Sequence, residues 1–164
     1  MDVDKINLNL VKFKKGYGKN INVFVNNKKI IIKTPIIKSL NGIESNGKSK
    51  YFLRLDMNEH SKLVSFLKRI DCLTRSDDCI SYLGNDDLKY INCFYYNNNT
   101  WKVKIPFKYG RFNIDIMDKE GNKLTTNQIN QDNNMTCHIE LSNIWNFNNS
   151  YGCIWNLKKI ELQN

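Results

Sequence analysis

Tyr51, Leu53, Leu55 and Met57 alternate with Phe52, Arg54 and Asp56. That period of two marks a strand with one face on a core and the other outside. The rhythm recurs along Trp101, Val103 and Ile105, with Lys102 and Lys104 on the opposite face. It recurs again along Met135, Cys137, Ile139 and Leu141, opposed by Thr136, His138 and Glu140. Phe112, Ile114 and Ile116 share a face in segment 112–117, and segments 6–14, 20–25, 28–34, 90–96 and 153–162 also read as strands between turn residues. Asn26-Asn27 is a hairpin turn, because asparagine tolerates positive φ, and Pro35 ends the ladder that precedes it. A loop rich in Gly, Ser and Asn covers 41–50; 97–99 and 118–122 are turns, and 146–152, between Trp145 and Trp155, reads as a closing hairpin whose large rings pack on the core. Only over about 59–71 does the period lengthen: Leu63, Val64, Phe66, Leu67 and Ile70 form a helical stripe, with Asn58 as N-cap. The tract 74–87 has no clear period and reads as a short helix and loop.

Many short strands with one or two helices predict a mainly β fold. The expectation is a small closed or partly open barrel, OB-fold-like, with a helix placed mid-chain; a sandwich would show the same pattern. No repeat or linker divides the chain, so residues 1–164 are expected to form a single domain.

Charge narrows the function. The chain carries 25 Lys+Arg against 16 Asp+Glu, a formal charge of +9. Such a surface attracts polyanions, and the 12% aromatic content adds the means of stacking on bases. No apolar run approaches the ~20 residues of a membrane span, and the N-terminus has no signal-peptide h-region. Five cysteines without a secretory signal predict reduced, mostly buried thiols and a cytoplasmic location. About one residue in six is asparagine, so the three glycosylation sequons, at Asn98, Asn134 and Asn148, are expected by chance.

Catalytic and metal chemistry find little support. The two histidines, His60 and His138, have no Cys or Asp neighbour at metal-ligand spacing, and Cys72 and Cys79 form no CxxC. Gly16 and Gly18 lack the strand–helix context of a phosphate loop. The pairs Asp77-Asp78 and Asp86-Asp87 read as solvated loop acids. No enzyme activity, cofactor or metal is expected. Interleaved cations and rings are the stronger signal. Lys12, Lys14, Lys15 and Tyr17 form one cluster around Phe13; Phe52 and Arg54 form a second; Tyr95, Tyr96, Lys102, Lys104, Lys108, Tyr109 and Arg111 form a third, around Trp101 and Phe107. Cations track phosphates while rings stack on bases whatever the sequence. Trp101 itself, in phase with Val103 and Ile105, belongs to the core.

Three ordered blocks carry a family resemblance. They are IIIKTPIIKSLNGIESNGKSKYFLRLDMNEHSKLVSFLKRID (30–71), TWKVKIPFKYGRFNIDIMD (100–118) and ELSNIWNFNNSYGCIWNLKKIEL (140–162). In order and spacing they resemble the OB-fold single-stranded-DNA-binding proteins of large cytoplasmic DNA viruses, the African swine fever virus type, and those expected of the yeast cytoplasmic linear killer plasmids. The resemblance implies a non-catalytic protein that coats single strands during replication of a viral or plasmid-like genome, with replication proteins of that element as further partners. RNA is not separated from DNA by stacking surfaces. The sequence ends KKIELQN, unlike the acidic recruiting tail of many single-strand binders. Two other readings stay open: a sequence-specific duplex factor acting at terminal repeats, and an interaction module with no nucleic-acid role. Oligomeric state is not fixed by the sequence.

Overall fold

The computed structural model describes residues 2–47, 49–85 and 87–163, and strands dominate them. After two short 3-10 turns, β1 (Val11–Lys15) and β2 (Ile21–Val25) pair antiparallel, and β3 (Lys28–Lys29) folds back on β2. Asn26 and Asn27 turn this hairpin with φ of 52° and 58°, both positive as a type I′ turn demands. β4 (Ile31–Lys33) and β5 (Ile37–Lys38) lie either side of Pro35, followed by β6 (Glu44–Ser45) and β7 (Tyr51–Asp56). Two helices come next, α1 (Ser61–Thr74) and α2 (Asp77–Leu83). Short β8 (Lys89–Tyr90) and β9 (Phe94–Tyr95) precede β10 (Thr100–Ile105), a two-stranded ribbon of β11 (Phe107–Lys108) and β12 (Arg111–Phe112), and β13 (Asp115–Met117). The longest hairpin comes last, β14 (Asn134–Phe147) and β15 (Ser150–Leu162), turned by Asn148 and Asn149 at φ 48° and 54°.

One sheet runs β1-β2-β14-β15-β10-β7-β6. It bends back on itself where β5 pairs with β14 and the following residues reach β7: Ser39 bridges Leu55, and the Leu40 N–H donates to the Arg54 carbonyl at 2.9 Å. One bridge is not a ladder, and among the described residues the sheet does not close into a barrel. The layout is mainly β and compatible with an OB-like fold.

The core follows the alternation. Leu53, Leu55, Trp101, Val103, Ile139, Leu141 and Leu157 are wholly buried, and the Trp101 and Trp155 rings meet edge to face at 5.3 Å. Leu63, Phe66, Leu67 and Ile70 of α1 join the same core. Burial pushes the Cys79 and Cys153 thiols up to about 12, which leaves them unreactive packing groups; all five cysteines are free.

Several local expectations shift. α1 starts later and runs further than 59–71, with His60 rather than Asn58 at its N-cap. Asn58 instead serves the turn out of β7, where its backbone N–H and its side-chain amide both donate to Asp56 Oδ1. The ambiguous tract contains α2, capped by Ser76, whose hydroxyl accepts the Cys79 N–H. Asp77 and Asp78 occupy its first turn, where the helix dipole favours carboxylates, so this pair has a structural task. Of the other acidic pair, Asp86 lies outside the described residues. Residues 8–10 form a 3-10 turn and the first strand begins only at Val11. No helix among the described residues is long and apolar enough to cross a membrane.

Candidate nucleic-acid interface

β7 and β10 pair antiparallel, placing Lys102 opposite Arg54 and Lys104 opposite Phe52. Their neighbours Leu53, Leu55, Trp101 and Val103 point into the core, so these four side chains emerge together on the outer face. Lys102 Nζ sits 4.0 Å from the centre of the Phe52 ring, a cation–π contact. β15 continues the floor, running parallel to β10 with Asn156 opposite Lys104. Ile154 projects from β15, Trp145 and Phe147 from the end of β14, and Ile91 and Tyr95 form the far wall. Together with Lys50 they line a groove of about 590 Å³.

Gly152 lets this groove close. It is the cross-strand partner of Trp145. A Cβ there would lie 3.2 Å from the indole Nε1 and 2.5 Å from the Ile91 carbonyl oxygen. The far wall is held by Asp71, which is only 2% exposed on α1. The Tyr90 and Tyr96 hydroxyls donate to its two carboxylate oxygens at 2.5 and 2.6 Å. Burial and this hydrogen bond push the Tyr96 hydroxyl pKa up, and the Tyr96 ring packs edge-on against Phe94 at 4.7 Å. Tyr96 is thereby anchored through its hydroxyl, though it stays 38% exposed, while adjacent Tyr95 is 43% exposed and lines the groove.

The electrostatics of the groove are one-sided. Arg54 is paired with Glu44, Nε to Oε1 3.1 Å. Lys50, Lys102, Lys104 and Lys108 have no carboxylate at ion-pair distance among the described residues. Burial lowers the Lys104 pKa, and the charges of Lys50 and Lys108 lower it further. Five lysines elsewhere are ion-paired: Lys33 and Lys159 with Glu161, Lys158 with Glu140, Lys38 with Asp132 and Lys62 with Asp4.

The β11–β12 ribbon stands beside the groove. Lys108 faces Arg111, and Tyr109 and Gly110 make the tip with positive φ, leaving Tyr109 97% exposed. Phe107 and Phe112 root the ribbon against Tyr51, with ring centres at 4.8 and 4.7 Å. The first basic cluster does not join this site. Phe13 is core, Lys12 and Lys14 flank it on β1, and β2, β14 and β15 separate β1 from β10 in the sheet. Lys14 and Lys29 both lie over the Phe24 ring, Tyr17 is almost fully exposed, and Lys15 borders a different pocket. Among the described residues no three His, Cys, Asp or Glu side chains are grouped to hold a metal ion.

Lys50, Ile91, Trp145, Phe147 and Ile154 are groove residues that the sequence pattern does not single out. For Trp145 and Phe147 the cause is a β-bulge. The register of β14 on β15 shifts between Leu141 and Asn143. Odd-numbered residues face the core up to Leu141; beyond the bulge Ile144 is buried and Trp145 turns outward. Trp155, by contrast, is core as expected.

No family model matches the sequence, and no curated protein matches it. Among solved structures the chain is similar to the single-stranded DNA-binding protein from bacteriophage Enc34, with a TM-score of 0.57 at 12% identity, covering 94% of this chain and 89% of that one. A C-terminal truncation of the phage protein gives a TM-score of 0.55 at 12% identity over 96% of this chain and 97% of that one. The phage protein in complex with ssDNA gives 0.55 at 12% identity over 94% and 95%. This chain shares the fold of those proteins along nearly its whole length.

Proposed function

We propose that this protein is a non-catalytic binder of single-stranded DNA that holds the strand in the groove between β7, β10 and the end of the β14–β15 hairpin. The observation that carries this reading is the set of four lysines without a carboxylate partner among the described residues, Lys50, Lys102, Lys104 and Lys108, in and beside a groove walled by Phe52, Tyr95, Trp145 and Phe147. Crowded like charges without counter-acids are relieved by a polyanion. Exposed rings beside them give bases a sequence-tolerant stacking surface. The Lys108–Arg111 ribbon would close over the phosphates, with Tyr109 as a further ring. The shared fold with a phage protein seen in complex with ssDNA supports the same reading. Coating of single strands during replication of a viral or plasmid-like genome completes the proposal. Its placement with the cytoplasmic DNA viruses and linear plasmids rests on the three sequence blocks.

Competition tests the substrate class: a labelled oligo-dT complex is challenged with unlabelled single strand or with duplex of equal length. Displacement by single strand at much lower concentration is expected, and equal displacement by duplex contradicts the proposal. A second reading has one observation in its favour: Phe147, Ile91 and Tyr95 are 67%, 40% and 43% exposed and make an apolar rim suited to a protein partner. The adjoining lysines favour the polyanion.

A further inference from the structure

The end of the β14–β15 hairpin has two sides. Trp145 and Phe147 face the groove; Asn146 and Asn148 line a separate pocket of about 560 Å³ on the other side. Lys15, Lys19, Asn20 and Tyr82 also line it. No acidic side chain is among the described residues that do so, and neither lysine has an ion-pair partner among them. Tyr82 is 44% exposed on α2. We infer that this pocket is a second nucleic-acid subsite, which takes one unstacked base of the strand after it has passed over Phe147.

The chemistry separates base from phosphate. Asparagine amides present donors and acceptors together, the pattern that pairs with a base edge, adenine above all. Asn146 Nδ2 already donates to the Leu83 carbonyl at 3.4 Å, so Asn20 and Asn148 carry this role. The C-terminal end of α2, at Leu83, opens here; its carbonyls carry the negative end of the helix dipole and disfavour a phosphate deep in the pocket. Exposed Lys15 and Lys19 suit the flanking phosphates, and Tyr82 offers its ring to the base. Adjacent residues serve the two sites: Phe147 the groove and Asn148 the pocket. Their Cα atoms are ~3.8 Å apart, within one nucleotide's reach. Lys15, which the groove leaves out, gains a role on a path that leads towards β1.

This inference rests on the groove binding single strands, and NMR of the labelled full chain separates the two. The Trp145 indole N–H reports the groove, and the side-chain amides of Asn20, Asn146 and Asn148 report the pocket. Oligonucleotides of about 4 and about 16 nucleotides bracket the usual range for one OB-fold. The shorter is expected to move the indole alone, and the longer, adenine-containing one to move indole and amides. Asn148→Gly keeps the positive φ of the turn, and with Asn20→Ala it is expected to weaken the longer oligonucleotide about tenfold while sparing the shorter. Moving indole with silent amides at both lengths, or equal affinities for variant and native chains, overturns the pocket alone. A silent indole overturns the pocket and the groove together.

Discussion

Lys104 is the residue at which burial and crowded positive charge meet in the groove proposed for the strand. Its pKa is lowered, first by burial and then by Lys50 and Lys108. A phosphate favours the protonated form, so affinity should be full below the lowered pKa and fall as pH rises through it. The loss should begin at a lower pH than an ordinary lysine near 10.5 would give. Lys104→Arg, charged throughout, is expected to move the onset upward in anisotropy titrations at graded pH; an unmoved onset would remove Lys104 from the phosphate path. Phe147 tests the stacking half. It is 67% exposed, so Phe147→Ala should leave the melting temperature nearly unchanged. Binding should nonetheless weaken by about 1–3 kcal/mol, the worth of one stacked ring. Unchanged affinity would assign Phe147 to some other contact.

At the scale of elements, the groove depends on a close approach that only glycine permits. A Cβ at Gly152 would meet the Ile91 backbone oxygen at 2.5 Å, and backbone cannot swing aside as a side chain can. Gly152→Ala is therefore expected to cost about 1–3 kcal/mol in a denaturant melt and to alter Trp145 emission by displacing the far wall. Native stability would show that the wall is free to shift. Much of this architecture is legible in the sequence. Alternation along Tyr51–Asp56 and Thr100–Ile105 identifies two strands and puts Phe52, Arg54, Lys102 and Lys104 outward, while their pairing appears only in the structure. The Asn26-Asn27 turn is equally plain, because local φ preference decides it. Other features are set by distant contacts. The closing hairpin reads as packing its large rings on the core, but the bulge after Leu141 turns Trp145 outward. Tyr96 reads like Tyr95 until Asp71, far off in sequence, takes its hydroxyl. Arg54 reads as a free cation until Glu44 pairs with it. Pairing between β1 and β10 residues cannot be judged from composition either: the same Lys-and-ring texture occurs on both, and strand order alone separates them.

For the whole molecule, the net charge of +9 is not evenly available. Ion pairs with Glu161, Glu140, Asp132 and Asp4 neutralise Lys33, Lys159, Lys158, Lys38 and Lys62, while among the described residues the groove lysines, like Lys15 and Lys19 at the second pocket, have no such partner. In the proposed reading the charge that meets the strand is the groove set, Lys50, Lys102 and Lys104, with Lys108 on the neighbouring ribbon. Of the three tryptophans, Trp101 and Trp155 are buried at 0% and 2% exposure, Trp155 lying beneath the groove, and Trp145 lines the groove in part exposure. Intrinsic fluorescence consequently reports on the proposed site itself. The most direct measurement is a titration of the protein with oligo-dT, following tryptophan emission, alongside Trp145→Phe. The expected result is saturable quenching in the native chain that disappears in Trp145→Phe, while anisotropy shows that the variant still binds, more weakly. Binding without quenching, or quenching that survives the loss of Trp145, would place the strand elsewhere and contradict the groove.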